Sequence, residues 1–375
     1  MPRPIQASIK TSALVHNLAL ARKRAPEAKI WAVVKANAYG HGLVRAVRTL
    51  QDADGFALLD FEEAIRLRLQ GITKPILLLE GFFKAQDVQL LAEYDLTPVV
   101  HNIEQIEILE RTALGKPIDA YLKINSGMNR LGFTVDNVRI AWNALRNHPQ
   151  IGTVSLMTHF ADADGPSGVA AQTEWFDSLT QPMEGPRSLA NSAALLRYPQ
   201  THADWVRPGI MLYGCSPFGF GAESFHGAAE NQGDETSTAQ TAAGIGLKPV
   251  MTLTTEIIAL QNLRPGDAVG YGFSFEVKEE MTIGVVACGY ADGYPRAAPS
   301  GTPVLVGGQR TRTVGRVSMD MICVDITVLP EAYIGTPVTM WGEGLSADEV
   351  AASAGTLSYE LLCGLAARVR VVEVP

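Results

Sequence analysis

The chain has 375 residues, 47% of them hydrophobic and 19% charged, with 31 basic and 39 acidic side chains for a net charge of −8. That length makes room for two or three domains, and that much apolar material buries a sizeable core, so a mainly disordered chain is excluded. The acidic balance argues against nucleic acid or an anionic membrane as the main partner, and no apolar run approaches the roughly 20 residues of a membrane helix.

From Ile30 onward short apolar runs recur: Ile30–Val34, Gly55–Leu59, Pro75–Leu79, Leu96–Val100, Ala120–Ile124, Val154–Met157, Ser188–Ala190 and His202–Val206. Between them lie amphipathic stretches, among them Phe61–Gln70, Ala85–Glu93, Ile103–Thr112 and Val135–Arg146, with apolar residues three and four apart. Eight strand–helix units predict a parallel sheet with crossover helices, and eight is the number that closes a (β/α)8 TIM barrel. An open doubly wound sheet is the alternative. The stretch 219–246 is rich in Gly, Ala, Ser, Thr, Gln and Glu and reads as a linker or surface insertion. Beyond it come β-prone runs at Met251–Leu260, Met281–Ala287, Pro303–Val306, Thr311–Val317, Met321–Thr327, Pro337–Trp341 and Arg368–Val374. One short helix with a capping-box signal, Ser346-x-x-Glu349, interrupts them. The expected domains are a barrel over 9–230 and a mainly β-stranded domain over 247–375, with residues 1–8 a candidate extra strand. Charge supports the division: residues 1–233 carry 22 basic and 23 acidic groups, residues 234–375 carry 9 and 16.

Met1–Gln6 has no apolar signal-peptide core, and Cys215, Cys288, Cys323 and Cys363 form no Cys-x-x-Cys pair. A cytoplasmic protein with reduced thiols is expected, not a disulfide framework or a zinc site.

Barrel active sites lie at the strand C-termini. Lys35 ends the first apolar run, where desolvation lowers an amine's pKa and favours nucleophilic and Schiff-base chemistry, or where the lysine simply pairs with a carboxylate. Tyr39 follows four residues on. Lys123 alternates with apolar residues in the fifth run, and Arg130 lies in the loop after it; a structural salt bridge is the plainer reading of both. His159 with Asp162 and Asp164 forms an incomplete metal-ligand set, so no metal is expected. Ser192 and the amides of Gly209 and Ile210 sit after the seventh and eighth runs, where barrels often bind phosphate.

Taken together these segments resemble the alanine racemase family of fold-type III pyridoxal-phosphate (PLP) enzymes. Val33-Val34-Lys35-Ala36-Asn37-Ala38-Tyr39-Gly40-His41-Gly42 resembles the family's cofactor-lysine signature. Further matches follow in order: Asn125–Gly132, Thr158-His159-Phe160, Asn191-Ser192, Arg207-Pro208-Gly209-Ile210, Gly270-Tyr271-Gly272, Gly289–Arg296, Gly315–Asp320 and Tyr359-Glu360.

The resemblance implies an N-terminal (β/α)8 barrel, a C-terminal β domain and a homodimer with shared active sites that interconverts L- and D-alanine, for peptidoglycan or in alanine catabolism. It implies that Lys35 holds PLP, that Tyr39, Ser192, Gly209 and Ile210 hold its phosphate beside Asn191, that His159 stacks on the ring, and that Arg207 faces the pyridine nitrogen. A guanidinium cannot share a proton with that nitrogen as a carboxylate would, which makes the ring a weaker electron sink. Inverting a stereocentre by proton transfer needs a group on each face, and the resemblance makes these Lys35 and Tyr271 of the neighbouring subunit. It also assigns Arg130 and the Met319 backbone to the substrate carboxylate. Lys123 matches a lysine that some members carry as a carbamate, and Asp164, Tyr290, Arg296, Arg316 and Asp320 match supporting or entrance residues. One departure stands out: where some members carry a phosphate-binding tyrosine just before Arg368-Val369, this chain has Ala367, and the role is not transferred to Tyr359. A broader amino-acid racemase and a non-enzymatic PLP-carrying barrel are the competing readings.

Overall fold

The computed structural model describes residues 3–220 and 240–375. Most of the expected linker, residues 221–239, lies outside the described residues; its far end is a single helical turn, Ala242–Ile245, whose Thr241 hydroxyl accepts from Gly244 N. The chain divides into two compact units, Leu18–Ala38 with Gly42–Leu212, and Met1–Asn17 with Tyr39–His41 and Tyr213–Pro375. Strand β1 (Gln6–Lys10) belongs to the latter, and the next eight strands to the former.

Those eight are β2 (Lys29–Val33), β3 (Gly55–Leu58), β4 (Ile76–Leu78), β5 (Leu96–Val100), β6 (Ile118–Lys123), β7 (Ile151–Met157), β8 (Arg187–Ser188) and β9 (Trp205–Val206). They pair in parallel in the order β8-β7-β6-β5-β4-β3-β2-β9. Asp204 N to Arg187 O (3.1 Å) and Ser188 Oγ to Trp205 O (2.9 Å) complete the ring. The fold is therefore the expected eight-stranded barrel, not an open sheet. Its strands are buried on both faces, as β3 and β4 are along their whole length, which is why they read as unbroken apolar runs. Inside, the Trp31 indole lies across Gly55, where an added Cβ would come within 2.3 Å of the ring, and its Nε1 donates to Tyr121 Oη at 2.9 Å. Trp205 stacks on it at 4.4 Å.

Two or three residues beyond several strands, a side chain caps the next helix. Asp60 accepts from Glu62 N (2.7 Å), Asn102 from Gln105 N (2.8 Å) and Asn191 from Ala194 N (3.0 Å). These caps set where each chain segment turns, and so which residue is left at the strand's C-terminal end.

The other unit is a sheet ordered β13-β16-β15-β14-β17-β10-β1-β18. Its strands are β10 (Met251–Leu263), β13 (Met281–Val286), β14 (Pro303–Val306), β15 (Gln309–Val314), β16 (Ile322–Asp325), β17 (Pro337–Trp341) and β18 (Arg370–Val374), with β11 (Ala268–Val269) and β12 (Phe275–Glu276) as a separate ribbon. In β10, Met251, Leu253, Thr255 and Ile257 point inward with period two. A bulge at Ile257/Ala259 lets β10 turn from β17 to β13, which closes six strands on themselves. Strand β1 lies between β10 (antiparallel) and β18 (parallel).

Two details differ from expectation. This unit's C-terminal part holds two helices, Ala347–Ser353 and Ser358–Cys363, where one was expected. The capping box is half formed: the Ser346 hydroxyl accepts from Asp348 N at 3.1 Å, but Glu349 pairs with Arg310 instead of folding back. An arginine opposite a carboxylate competes better than a backbone N–H that water can reach. Among the described residues no helix is long and apolar enough to cross a membrane.

Candidate active site

Lys35 follows β2 at the barrel's C-terminal end and is half-buried. The next residues form a left-handed turn: Ala36 (φ 54°, ψ 52°), Asn37 (53°, 43°), Ala38 (54°, 53°) and Tyr39 (φ 51°). Non-glycine residues disfavour this region by about 1–2 kcal/mol each, so the turn exists only because its ends are held. Val34 O accepts from Ala38 N (2.9 Å), Asn37 O from Gly42 N (2.9 Å), and Asn37 Oδ1 from Leu43 N (2.9 Å). Ala36 is exposed and its side chain does no packing work. Ala36→Gly is expected to stabilise the protein by about 0.5–1 kcal/mol, against the usual sign for that substitution, because glycine adopts this φ freely. A thermal melt checks it; a lower Tm would mean the turn is not left-handed in solution.

Lys123, at the end of β6, is 9% exposed. Burial and the cations of Arg207, Arg130 and Lys35 pull its pKa down to about 8, against Glu80 alone raising it. The loop after it is pinned to its own backbone: Phe133 N donates to Lys123 O (2.8 Å) and Asn125 N to Phe133 O (2.9 Å). The Asn125 side chain gathers Gly127 N and Asn129 N, so the exposed Arg130 is presented from a tied loop.

Arg207 follows β9 and is buried. Its guanidinium donates to Ser188 Oγ (2.7 Å), Thr158 O (2.6 Å) and Leu189 O (3.1 Å), and Nη2 stands 3.5 Å from His159 Nδ1. Burial brings its pKa down to about 10, so it remains charged at neutral pH. Since it can only donate, it assigns His159 Nδ1 as acceptor and places the ring proton on Nε2. Burial, followed by Arg207, Lys123, Arg130 and Lys35, holds His159 well below the usual histidine range, so it is a neutral planar ring. Ser192 Oγ accepts from Gly209 N at 2.8 Å, which ties the segments after β8 and β9 together. The Asn191 side chain is taken up by its cap.

Tyr39 is buried, its ring 4.7 Å from Tyr213 and 6.0 Å from Tyr359. Burial raises both the Tyr39 and Tyr213 phenols. Sequence reasoning set Tyr359 aside and gave Tyr213, Thr158 and Ser188 no role. Tyr359-Glu360 and Thr158-His159-Phe160 carry a signal as matched segments, but nothing in them marks Thr158 O or the Ser188 hydroxyl as partners of Arg207.

In the β unit, Tyr271 is 71% exposed between two left-handed glycines, Gly270 and Gly272. Arg296 and Arg316 are exposed, as is Asp164 in the barrel unit. The segments carrying Tyr290 and Met319 are joined: Tyr290 N donates to Ser318 O (3.1 Å) and Ala291 N to Met319 O (3.0 Å). Asp320 accepts from Arg368 at 2.7 Å. Among the described residues no group of His, Cys, Asp and Glu could hold a metal.

The chain matches the family model for the N-terminal domain of alanine racemases over residues 9–217 and that for their C-terminal domain over residues 250–373. It is 54% identical to an alanine racemase of Burkholderia mallei over 99% of both chains, and 53% identical to a catabolic alanine racemase of Klebsiella aerogenes over 100% of both. The crystal structure of a biosynthetic alanine racemase from Pseudomonas aeruginosa superposes with a TM-score of 0.91 at 45% identity, covering both chains completely.

Proposed function

The chain belongs to the alanine racemase family, and from that premise we propose how its own residues divide the work. It interconverts L- and D-alanine as a PLP-dependent isomerase. The residues present suit that cofactor. Lys35, Arg130 and Arg207 all act on Lys123 and His159 at one end of the barrel, with Glu80 the one carboxylate acting on Lys123. A cationic cluster of this kind, with Lys123 and Arg207 buried and Lys35 and Arg130 more open, is matched by an anionic ligand. When bound, PLP supplies the electron withdrawal that makes the α-proton of alanine removable.

Lys35 would attach the cofactor, and its amine would give and take a proton on one face of the substrate. Ser192, Gly209, Ile210 and Tyr39 hold the phosphate. We add Tyr359, on the strength of its place beside Tyr39, as the phenol that stands in for the one absent at Ala367. His159, neutral and flat, would lie against the ring. Arg207, charged and donor-only, would face the pyridine nitrogen without giving up a proton, which would moderate the ring's pull and disfavour side reactions. Arg130 and the Met319 backbone hold the alanine carboxylate, and Tyr290, Asp164, Arg296 and Arg316 line its approach with Asp320 in support.

Tyr271 acts on the opposite face from the neighbouring subunit of a homodimer. What supports this is its exposure beside Phe273, itself 78% exposed, in a segment that leaves two large aromatic side chains uncovered. We place the reaction in the cytoplasm and take 9–230 and 247–375 as the domain limits. The test is D-alanine production from L-alanine by purified protein with added PLP, with serine as the comparison. Faster serine turnover, or no racemisation despite covalently bound cofactor, would overturn the reading.

Lys123 carries a further expectation. An amine with a pKa near 8 is a substantial fraction neutral at pH 8, whereas an ordinary lysine is almost wholly protonated, and only the neutral amine adds to carbon dioxide. Carbamylation would turn a cation into an anion beside Arg130. Labelled bicarbonate should give a carbon-13 carbamate resonance that is missing in Lys123→Ala, and that variant should raise KM for alanine by about tenfold. An unchanged spectrum and KM would remove Lys123 from the site.

A further inference from the structure

The β unit contains an ion-pair network that joins both ends of the chain to the segments carrying Tyr290 and Met319. Asp292 is completely buried. Its carboxylate accepts from Gly289 N (2.9 Å) and Arg368 Nε (2.7 Å), and Arg3 approaches at 3.4 Å. Arg368 reaches on with Nη2 to Asp320 Oδ1 at 2.7 Å. Arg3 meets the same two aspartates, with Nη2 donating to Asp320 O at 2.6 Å. Two arginines thus span two carboxylates, one buried and one half-exposed. The backbone adds to this: Ala366 N donates to Asp292 O at 3.2 Å. Gly289 lies so close to the neighbouring segment that a Cβ there would stand 2.3 Å from Met319 O and 2.4 Å from Ser318 O.

We propose that Arg368 is a positioning residue for substrate entry: by bridging Asp292 and Asp320 it locks the side-chain side of the junction that backbone bonds make between the Tyr290 segment and the Met319 segment. This rests on the reading that those two residues meet the substrate. The arginine fork is what the bridge needs, because its nitrogens diverge and can serve two acceptors at once, whereas a lysine ammonium is a single point. A buried carboxylate left with Arg3, at 3.4 Å, as its charged partner relaxes toward water, and the segment that it anchors through Gly289 N moves with it. The effect falls on how alanine is received and not on the proton transfers, since neither Lys35 nor Tyr271 belongs to the network.

The experiment measures KM and kcat for both enantiomers with Arg368→Ala, Arg368→Lys and Arg3→Ala in the PLP-loaded enzyme, alongside Tyr290→Ala. In Arg368→Ala the KM for L- and D-alanine should rise together by about tenfold with kcat within about threefold, and Arg368→Lys should recover little of it. Because enantiomers are equal in energy and the equilibrium constant is one, kcat/KM must stay equal in the two directions, so with kcat little changed the two KM values move together. Arg3→Ala, which removes the longer carboxylate pairs and one backbone contact, should raise KM by about threefold with little change in Tm. Full recovery by lysine would mean that charge alone draws the substrate in, and would overturn the bridge. A loss of kcat and of bound cofactor in parallel with a fallen Tm would make the network merely structural, and unchanged KM in both Arg368 variants would do the same. Tyr290→Ala reports on the underlying reading: if its KM is normal, Tyr290 does not line the path, whereas the bridge stands or falls on the Arg368 pair.

Discussion

Lys35→Ala should lower racemisation by at least about a thousandfold, the range seen when a nucleophile or general base is removed from a site whose other parts are intact. Val34 before it is fully buried, and the left-handed turn after it is held at both ends, so backbone slack cannot bring another amine to the same place. Lys123 is the nearest alternative in kind. It sits on β6, is more deeply buried, and has its loop pinned to its own carbonyl, so it cannot move to the position of Lys35. The variant should still take up PLP, because Ser192, Gly209 and the aromatic cluster around Tyr39 are untouched. The cofactor should then wash out on dialysis, where the parent protein keeps it. Small primary amines added to the assay should restore part of the rate, with methylamine better than bulkier ones, since only the missing amine has to be replaced. Activity within tenfold of the parent would mean that the amine comes from elsewhere in the chain.

The barrel was legible because its strands are buried on both faces and its helices on one. Leu96–Val100, Pro303–Val306, Pro337–Trp341 and the helix Ala85–Glu93 run over the residues that their apolar patterns mark out. Helix Thr11–Arg24 was not, because a polar residue interrupts its buried stripe. Asn17 is fully buried among Ala13, Leu14 and Leu18, and its amide bonds both Lys248 O (2.8 Å) and Lys248 N (2.9 Å). A buried asparagine satisfied by distant backbone looks in sequence like a break in the pattern. His202 was expected to begin the last strand. Instead it follows a 3-10 turn, with Nε2 bonded to Leu195 O, and the strand is only Trp205–Val206. The turn after Lys35 is a different kind of miss. Ala-Asn-Ala-Tyr carries no mark of handedness, and only the flanking Gly40 and Gly42 hint that the chain has left the right-handed region. At the site itself, charged and aromatic residues at strand ends could be picked out, but the partners of Arg207 could not, since three of its contacts are backbone oxygens and hydroxyls brought together by the ring closure.

Tyr271→Phe should cost about a thousandfold in racemisation while leaving exchange of the α-proton with solvent intact for one enantiomer only. The two outcomes belong together. Removing the phenol hydroxyl takes away the proton donor on one face, yet the Lys35 amine on the other can still remove a proton and return one from solvent to the same side. In deuterated water the variant should therefore label one enantiomer without inverting it, and NMR of recovered alanine reads this directly. Labelling of both, or of neither, would sink the division of labour between the two residues. The same pair of variants tests where Tyr271 acts. Lys35→Ala and Tyr271→Phe are each nearly inactive alone. If a site takes its lysine from one subunit and its tyrosine from the other, a mixed dimer rebuilds one complete site: the Tyr271→Phe subunit contributes Lys35 and the Lys35→Ala subunit contributes Tyr271. Statistical reassortment makes about half of the dimers mixed, each with one working site of two, so about a quarter of the parent activity should return on mixing. If each subunit used its own tyrosine, mixing would restore nothing, because every site would still lack one of its two groups.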